Sequence, residues 1–241
     1  MTWQGKSALV TGGSRGLGAA LAEELATRGA RVVLVARDQA PLARTLARIR
    51  ERGGEAHALS ADVGDKLAIH RLVGAATALV GPIDLLVHNA STLGPTPLRP
   101  LLDTECEDLE RVLAVNLVGP FRLSRALVGS MALRGGGTVV HVSSDAAQNA
   151  YPGWGAYSAS KAALDHLGRV WAEELREFGV RFISIDPGEM DTEMHAAALP
   201  EADRGSLLRP HDVARRVLQI LENREIQSGS RVEAASVGGS S

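Results

Sequence analysis

The sequence predicts a doubly wound α/β domain: one parallel sheet of about seven strands with helices on both faces. Three observations carry that reading. Short apolar runs alternate with longer amphipathic stretches from end to end, the pattern of repeated βαβ units. The strand candidates are apolar on both faces, as a parallel sheet covered by helices requires. A glycine-rich turn joins the first strand to the first helix, where such folds bind their ligand. The length, 241 residues, suits a single domain over 1–241. No linker interrupts it, and no repeat of roughly 20–50 residues.

Ser7 to Thr11 (SALVT) is the first strand. Gly16 to Arg28 carries Leu17, Leu21 and Leu25 at helical spacing and stops at Gly29. Arg31 to Ala36 (RVVLVA) is the second strand. A helix from Gln39 to Arg52 ends at Gly53-Gly54, and Glu55 to Ser60 is the third strand. Asp65 is placed to cap a helix whose core face is Ile69, Leu72, Val73, Ala76 and Val80. Gly81-Pro82 ends it, and Ile83 to His88 is the fourth strand. A proline-rich connection, Leu93 to Leu102, leads to Thr104-Glu105-Cys106-Glu107, a capping-box pattern that opens a long helix to Arg134. Gly135 to Gly137 break it, and Thr138 to Val142 is the fifth strand. The next helix sets Leu164, Leu167, Trp171, Leu175 and Phe178 along one stripe. Val180 to Ile185 is the sixth strand. A helix from His211 to Glu222 and a short strand from Arg231 to Ala234 follow, and a tail over about 236–241 is expected to be disordered.

Composition narrows the function. Hydrophobic residues make up 45% and the formal net charge is −2, with no long basic run, so no nucleic-acid partner is expected. The single cysteine, Cys106, and the scattered histidines offer no metal-ligand spacing, so no metal is expected. No apolar run comes near the roughly 18 residues of a membrane span, so no membrane partner is expected. The first strand starts near Lys6, which leaves no room for a targeting segment, and the expected location is the cytoplasm.

Residues 142–164 read VSSDAAQNAYPGWGAYSASKAAL. Tyr157 and Lys161 stand four apart where a helix begins, so phenol and ammonium share a face. An ammonium beside a phenol favours the phenolate and lowers its pKa, which suits the phenol to proton transfer near neutral pH. With two tyrosines and three lysines in the chain, a chance pairing on a solvated helix face explains this poorly. The turn Thr11-Gly12-Gly13-Ser14-Arg15-Gly16-Leu17-Gly18 has the spacing Gly-x-x-x-Gly-x-Gly. Its glycines allow a tight turn and close approach to a pyrophosphate on the helix N-terminus. No acid ends the second strand, where a carboxylate would hold a ribose 2′-hydroxyl. Arg37 follows Ala36 there, and with Arg15 it could clamp a 2′-phosphate.

These residues, in this order and spacing, resemble the short-chain dehydrogenase/reductase family across nearly the whole chain. Asp62-Val63, Asn89-Ala90, Asn116, Ser144 and Pro187-Gly188 with Thr192 complete the match. The resemblance implies a Rossmann-type fold and a nicotinamide cofactor, with Gly12, Ser14, Arg15, Gly16, Leu17, Gly18, Arg37, Asp62, Val63, Asn89, Ala90, Tyr157, Lys161, Pro187, Gly188 and Thr192 holding it; the two arginines point to NADP(H). It implies Tyr157 as general acid toward a carbonyl or alcohol substrate. Lys161 would lower the phenol's pKa and hold the ribose, Ser144 would bind the substrate oxygen, and Asn116 would support a water leading from Lys161. It also implies pairing of the two long helices in a homodimer.

Three departures stand out. Ser91 replaces the usual glycine after Asn89-Ala90, SGSRVEAAS replaces the usual last segment, and only 17 residues separate Thr192 from Pro210. The last departure points to a short lid over Glu193 to Leu208. Substrate-pocket candidates are Ala146, Gln148, Tyr151, Trp154, Glu189, Met190, Met194 and His195. Reduction competes with epimerisation or dehydration on the same scaffold, and with a non-catalytic NADP-sensing role, since a fold alone does not choose among them.

Overall fold

The structure is a computed structural model and describes residues 2–236, so nearly all of the tail expected to be disordered lies outside the described residues. Seven parallel strands form one sheet: β1 (Ser7–Thr11), β2 (Arg31–Ala36), β3 (Ala56–Ser60), β4 (Leu85–His88), β5 (Gly137–Val142), β6 (Val180–Asp186) and β7 (Arg231–Glu233). Their spatial order is β3-β2-β1-β4-β5-β6-β7, so the strand order switches between β1 and β4. The ligand crevice of such a sheet opens at that switch, outside the carboxyl ends.

Alternation along each strand divides the core in two. Ala8 and Val10, Val32 and Leu34, Leu85 and Val87, and Ile183 and Ile185 pack on one side with α1 (Gly16–Thr27), α2 (Gln39–Glu51) and α8 (Pro210–Glu222). Leu9, Val33, Leu86, Val139 and Phe182 face the other way, toward α3 (Ala68–Val80), α5 (Gly119–Leu133) and α6 (Gly155–Glu174). Successive strand side chains point to opposite faces, so runs apolar at every position fill both layers. Each fully buried branched side chain contributes about 1.5–3 kcal/mol.

Several local readings need correction. Thr104 does not cap the long helix: its hydroxyl donates to the Pro100 carbonyl at 3.0 Å, and α4 (Cys106–Leu113) starts after Glu105 without a side-chain cap. Asp65 instead caps the N–H of Leu67 at 2.8 Å, ahead of a helix that begins at Ala68. Leu175 and Phe178 fall beyond the end of α6, and Phe178 is exposed. The long helix is continuous from Cys106 to Leu133 and widens into a π-helical turn at Ala114–Val118. By length and composition it is apolar enough to cross a membrane, contrary to the reading that no run approaches that size. In this fold its buried residues, among them Val112, Leu123, Leu127 and Met131, pack inward. The segment expected to act as a lid contains α7 (Glu193–Ala198) and a turn at Arg204–Ser206. Its base is tied by the main-chain bonds Asp191 N–H to Leu208 O (3.0 Å) and Leu208 N–H to Glu189 O (3.1 Å).

Candidate active site

A cleft of about 860 Å³ opens at the carboxyl ends of the strands, and most of the expected site residues line it. Gly12 (φ 66°) and Gly16 (φ 53°) adopt left-handed backbone in the turn after β1. A Cβ on Gly18 would lie 2.3 Å from the Gly12 carbonyl, so α1 can approach the turn only because position 18 has no side chain. Neither Gly16 nor Gly18 lines the cleft; they shape the wall that Gly12, Ser14, Arg15 and Leu17 present. The opposite side of the turn is fixed by Asn89, whose amide donates to the carbonyls of Thr11 (3.0 Å) and Gly12 (3.3 Å). The Thr11 hydroxyl donates to Val87 O and accepts from the N–H groups of Asn89 and Ala90, tying β1 to β4 at the switch point.

This wall fits a dinucleotide. No side chain caps α1 and its first turn carries no acid, so the first-turn N–H groups are left for an anion at the cleft. Asp62 and Val63 follow β3 on the same wall, with the Asp62 carboxylate accepting from Gly64 N–H at 2.8 Å. Arg37 lies 4.0 Å from Asp62. Arg15 is held between two carboxylates, Asp38 (2.9 Å) and Glu193. Asp38 was not foreseen as part of this wall. It stands two residues past β2, beyond the position where an acid was sought.

Tyr157, Lys161 and Ser144 meet on the far wall. Ser144 ends the extended chain after β5, and its hydroxyl is 3.2 Å from the N–H of Ala146. Tyr157 is 8% exposed, and Trp154 packs edge-on to its ring at 5.7 Å, with Tyr151 edge-on to Trp154 in turn. Burial pushes the phenol pKa up to about 12; Asp186 and Asp145 add to the rise, while the hydroxyls of Ser144 and Ser91 pull the other way. The depression of the phenol by Lys161 is therefore not what prevails in this geometry. Lys161 is itself buried, which lowers its pKa to about 8, and its ammonium donates to the Val142 carbonyl at 2.7 Å. It lies 5.5 Å from the phenol ring centroid.

Asn116 sits behind this wall, in the π-helical turn, and does not line the cleft. Its side chain pairs with the Thr92 main chain, accepting at 2.8 Å and donating at 2.9 Å, and also donates to the Ser160 hydroxyl at 3.0 Å. Ser160 donates to the Tyr157 carbonyl at 2.6 Å, so one amide braces both the β4 loop and the helix of Tyr157.

Pro187, Gly188 (φ 75°) and Thr192 line the cleft after β6, and the Thr192 hydroxyl caps α7 through the His195 N–H. Of the substrate candidates, Ala146, Tyr151, Trp154, Glu189, Met190, Met194 and His195 line the same cleft. Gln148 does not. The turn after Ser144 leaves it exposed, and its own N–H bonds back to Asp145. Sequence reading missed Asp145 and Asp186 and did not place Ser91 in the site, although all three line the cleft. Asp186 was discoverable: a carboxylate at the buried end of a strand needs a partner or a ligand.

A model of the short chain dehydrogenase family matches residues 6–203. An uncharacterized oxidoreductase of Thermotoga maritima is 34% identical over 78% of this chain and 73% of its own length. A short chain dehydrogenase of Pseudocercospora fijiensis is 39% identical over 80% of this chain, and the match spans 62%, under two thirds, of that protein. Among solved structures, a Shigella flexneri short chain dehydrogenase complexed with NADP superposes with a TM-score of 0.89 at 27% identity, covering 96% of this chain and 98% of that one. A 7α-hydroxysteroid dehydrogenase complexed with NADH and 7-oxo glycochenodeoxycholic acid also superposes at 0.89, with 29% identity over 98% of this chain and 94% of that one.

Proposed function

The chain belongs to the short-chain dehydrogenase/reductase family of oxidoreductases, and from that premise we propose that it reduces a carbonyl to an alcohol, or the reverse, with NADP(H). The observation that carries the proposal is the convergence of Ser144, Tyr157 and Lys161 on one wall of the cleft, facing the glycine-rich turn. The nicotinamide, when bound, supplies or accepts the hydride. Tyr157, a phenol that holds its proton at neutral pH and that burial makes still less acidic, donates that proton to the substrate oxygen in reduction. Ser144 donates a hydrogen bond to that oxygen as negative charge develops on it. Lys161, mobile in charge near pH 8, is suited to resupply the proton. Arg15 and Arg37 support the phosphorylated nucleotide, although related structures hold either NADP or NADH. The substrate is a small molecule that reaches the aromatic ladder of Tyr151, Trp154 and Tyr157.

The test is loss of NADPH fluorescence over a panel of ketones and aldehydes, with Tyr157→Phe as control. Removing a general acid costs about 10²–10⁴ in rate. The variant is expected to lose turnover and to bind NADPH as wild type does. Wild-type turnover by the variant would refute the assignment. NADPH binding without turnover on any carbonyl would favour a sensor.

A further inference from the structure

Arg231 stands on β7, in the segment where the sequence departs from its family. Its guanidinium is nearly buried and reaches three elements at once. Nη2 donates to the Ser144 carbonyl at 3.0 Å and to Asp186 Oδ2 at 2.7 Å. Nε lies 3.3 Å from Asp165 Oδ2, an ion pair without aligned hydrogen-bond geometry. The same Asp165 oxygen accepts the Ser143 hydroxyl at 2.6 Å. Asp165 follows Lys161 by one helical turn, and Asp186 ends β6 at the cleft wall. One side chain of the last strand thus joins the end of β5, the end of β6 and the helix of Tyr157.

We propose that Arg231 is a positioning residue for the proton-transfer site: it fixes the main chain from which the Ser144 hydroxyl projects and neutralises the buried Asp186 carboxylate that acts on Tyr157. The proposal rests on the oxidoreductase reading above. Its first part follows from geometry, because the Ser144 carbonyl and the Ser143 hydroxyl are both held within this network. Its second part follows from charge. Asp186 and Asp145 oppose ionisation of the phenol. Of these, Asp186 has a cation at 2.7 Å, and that cation is Arg231. The other charged or titratable groups around the phenol are Lys161 and Asp165 on its own helix, Glu233 beside Arg231 on β7, and Glu189 and His195 across the cleft. His141 and His88 on the central strands are buried, and burial holds both neutral, His141 with a pKa of about 3. Removing the guanidinium leaves Asp186, the carboxylate of this network that acts on the phenol, without its cation, and an uncompensated negative charge raises the pKa of a neighbouring phenol.

The test compares wild type, Arg231→Met, Arg231→Lys and the double variant Arg231→Met with Asp186→Asn. Each is read by NADPH affinity, by kcat and KM for a carbonyl that wild type reduces, and by the pH profile of alcohol oxidation, which needs the phenolate. Arg231→Met should lower kcat tenfold or more with NADPH affinity within about twofold. It should also move the acidic, rising limb of the profile up by about one pH unit. The double variant should bring the limb back, and it also covers the case in which the single variant does not fold. Arg231→Lys keeps the charge and should keep the limb while losing part of kcat, since an ammonium cannot make the fork to Ser144 and Asp186. A lowered kcat with an unmoved limb would overturn the proposal, because loss of structure alone predicts that. If wild type turns over no carbonyl, the oxidoreductase reading fails instead. Arg231 is then judged in the Tyr151→Phe background, where Tyr157 is the sole tyrosine and its ultraviolet titration with NADP⁺ present reads the phenol directly. Arg231→Met must move that titration alkaline, and an unmoved titration overturns the proposal.

Discussion

Lys161 donates a 2.7 Å hydrogen bond to the carbonyl of Val142, the last residue of β5. The ammonium is thereby anchored to the strand that ends at Ser144, but it has left water entirely. Burial lowers its pKa to about 8 from the ordinary 10.5. A lysine whose pKa falls on folding binds its proton less well in the native state, so its charge opposes folding at neutral pH. The penalty is fully present below pH 8 and is relieved as pH rises from 8 toward 10.5, where the unfolded chain still holds more protons. Lys161→Met should therefore abolish turnover yet stabilise the fold at pH 7 by on the order of 2 kcal/mol. That advantage should shrink by pH 9.5. Urea unfolding at the two pH values measures it, and a variant less stable than wild type at pH 7 would contradict the reading.

The nucleotide end makes a separate prediction. Arg15 and Arg37 are about half exposed; Arg37 is paired only loosely, with Asp62, and can turn toward a 2′-phosphate, whereas Arg15 is engaged by Asp38 and Glu193. NADPH should bind at least about tenfold more tightly than NADH, since a charged hydrogen bond is worth roughly 1.5–3 kcal/mol. Arg37→Ala should remove most of that preference without weakening NADH. Asp38→Asn should tighten NADPH by freeing Arg15 and removing a like charge. Calorimetric titration of both nucleotides decides it, and equal affinities in wild type would refute the preference.

Asn116 is expected to act on stability as well as rate. Asn116→Ala takes the partner from the part-buried Thr92 N–H and C=O and from Ser160, at a cost of about 1–3 kcal/mol. Ser160→Ala removes a smaller part of the same bracket, about 1 kcal/mol. Denaturant unfolding followed by tryptophan fluorescence should rank them in that order. The reverse order would show that the bracket lies elsewhere.

The faces of α5 and α6 turned away from the sheet carry exposed Phe121 and Val170, and Phe121 stacks on Trp171 at 6.1 Å. We propose that this surface pairs two copies of the chain, the commonest way to bury a self-complementary apolar face. Light scattering at micromolar concentration should give a dimer, and Val170→Asp should give a monomer. A monomeric wild type would refute the pairing.

Strand ends such as Arg31–Ala36 and the turn from Gly12 to Gly18 were legible in the sequence because they obey local rules: runs apolar on both faces, and glycines where backbones must meet. The four-residue step from Tyr157 to Lys161 was legible for the same reason, since a helix alone places them together. The long helix was legible in outline but not its π-helical turn at Ala114–Val118. That turn is centred on Asn116, whose partners Thr92 and Ser160 are distant in sequence. The Thr104 cap failed because the helix begins at Cys106, which puts Glu105 in the cap position, while the Thr104 hydroxyl turns to the Pro100 carbonyl.

The sequence by itself determined the order of elements, the sheet type and the placement of Tyr157 and Lys161 on one helix face. Periodicity and glycine placement are properties of neighbouring residues. Only the tertiary structure decided the charge state around that pair. The burial that raises Tyr157 and lowers Lys161, and the meeting of Arg231 with Asp165, Asp186 and the Ser144 carbonyl, depend on strands and helices far apart in the chain closing over one another. Desolvation and Coulomb interactions are set by distance in space, which local sequence patterns do not encode.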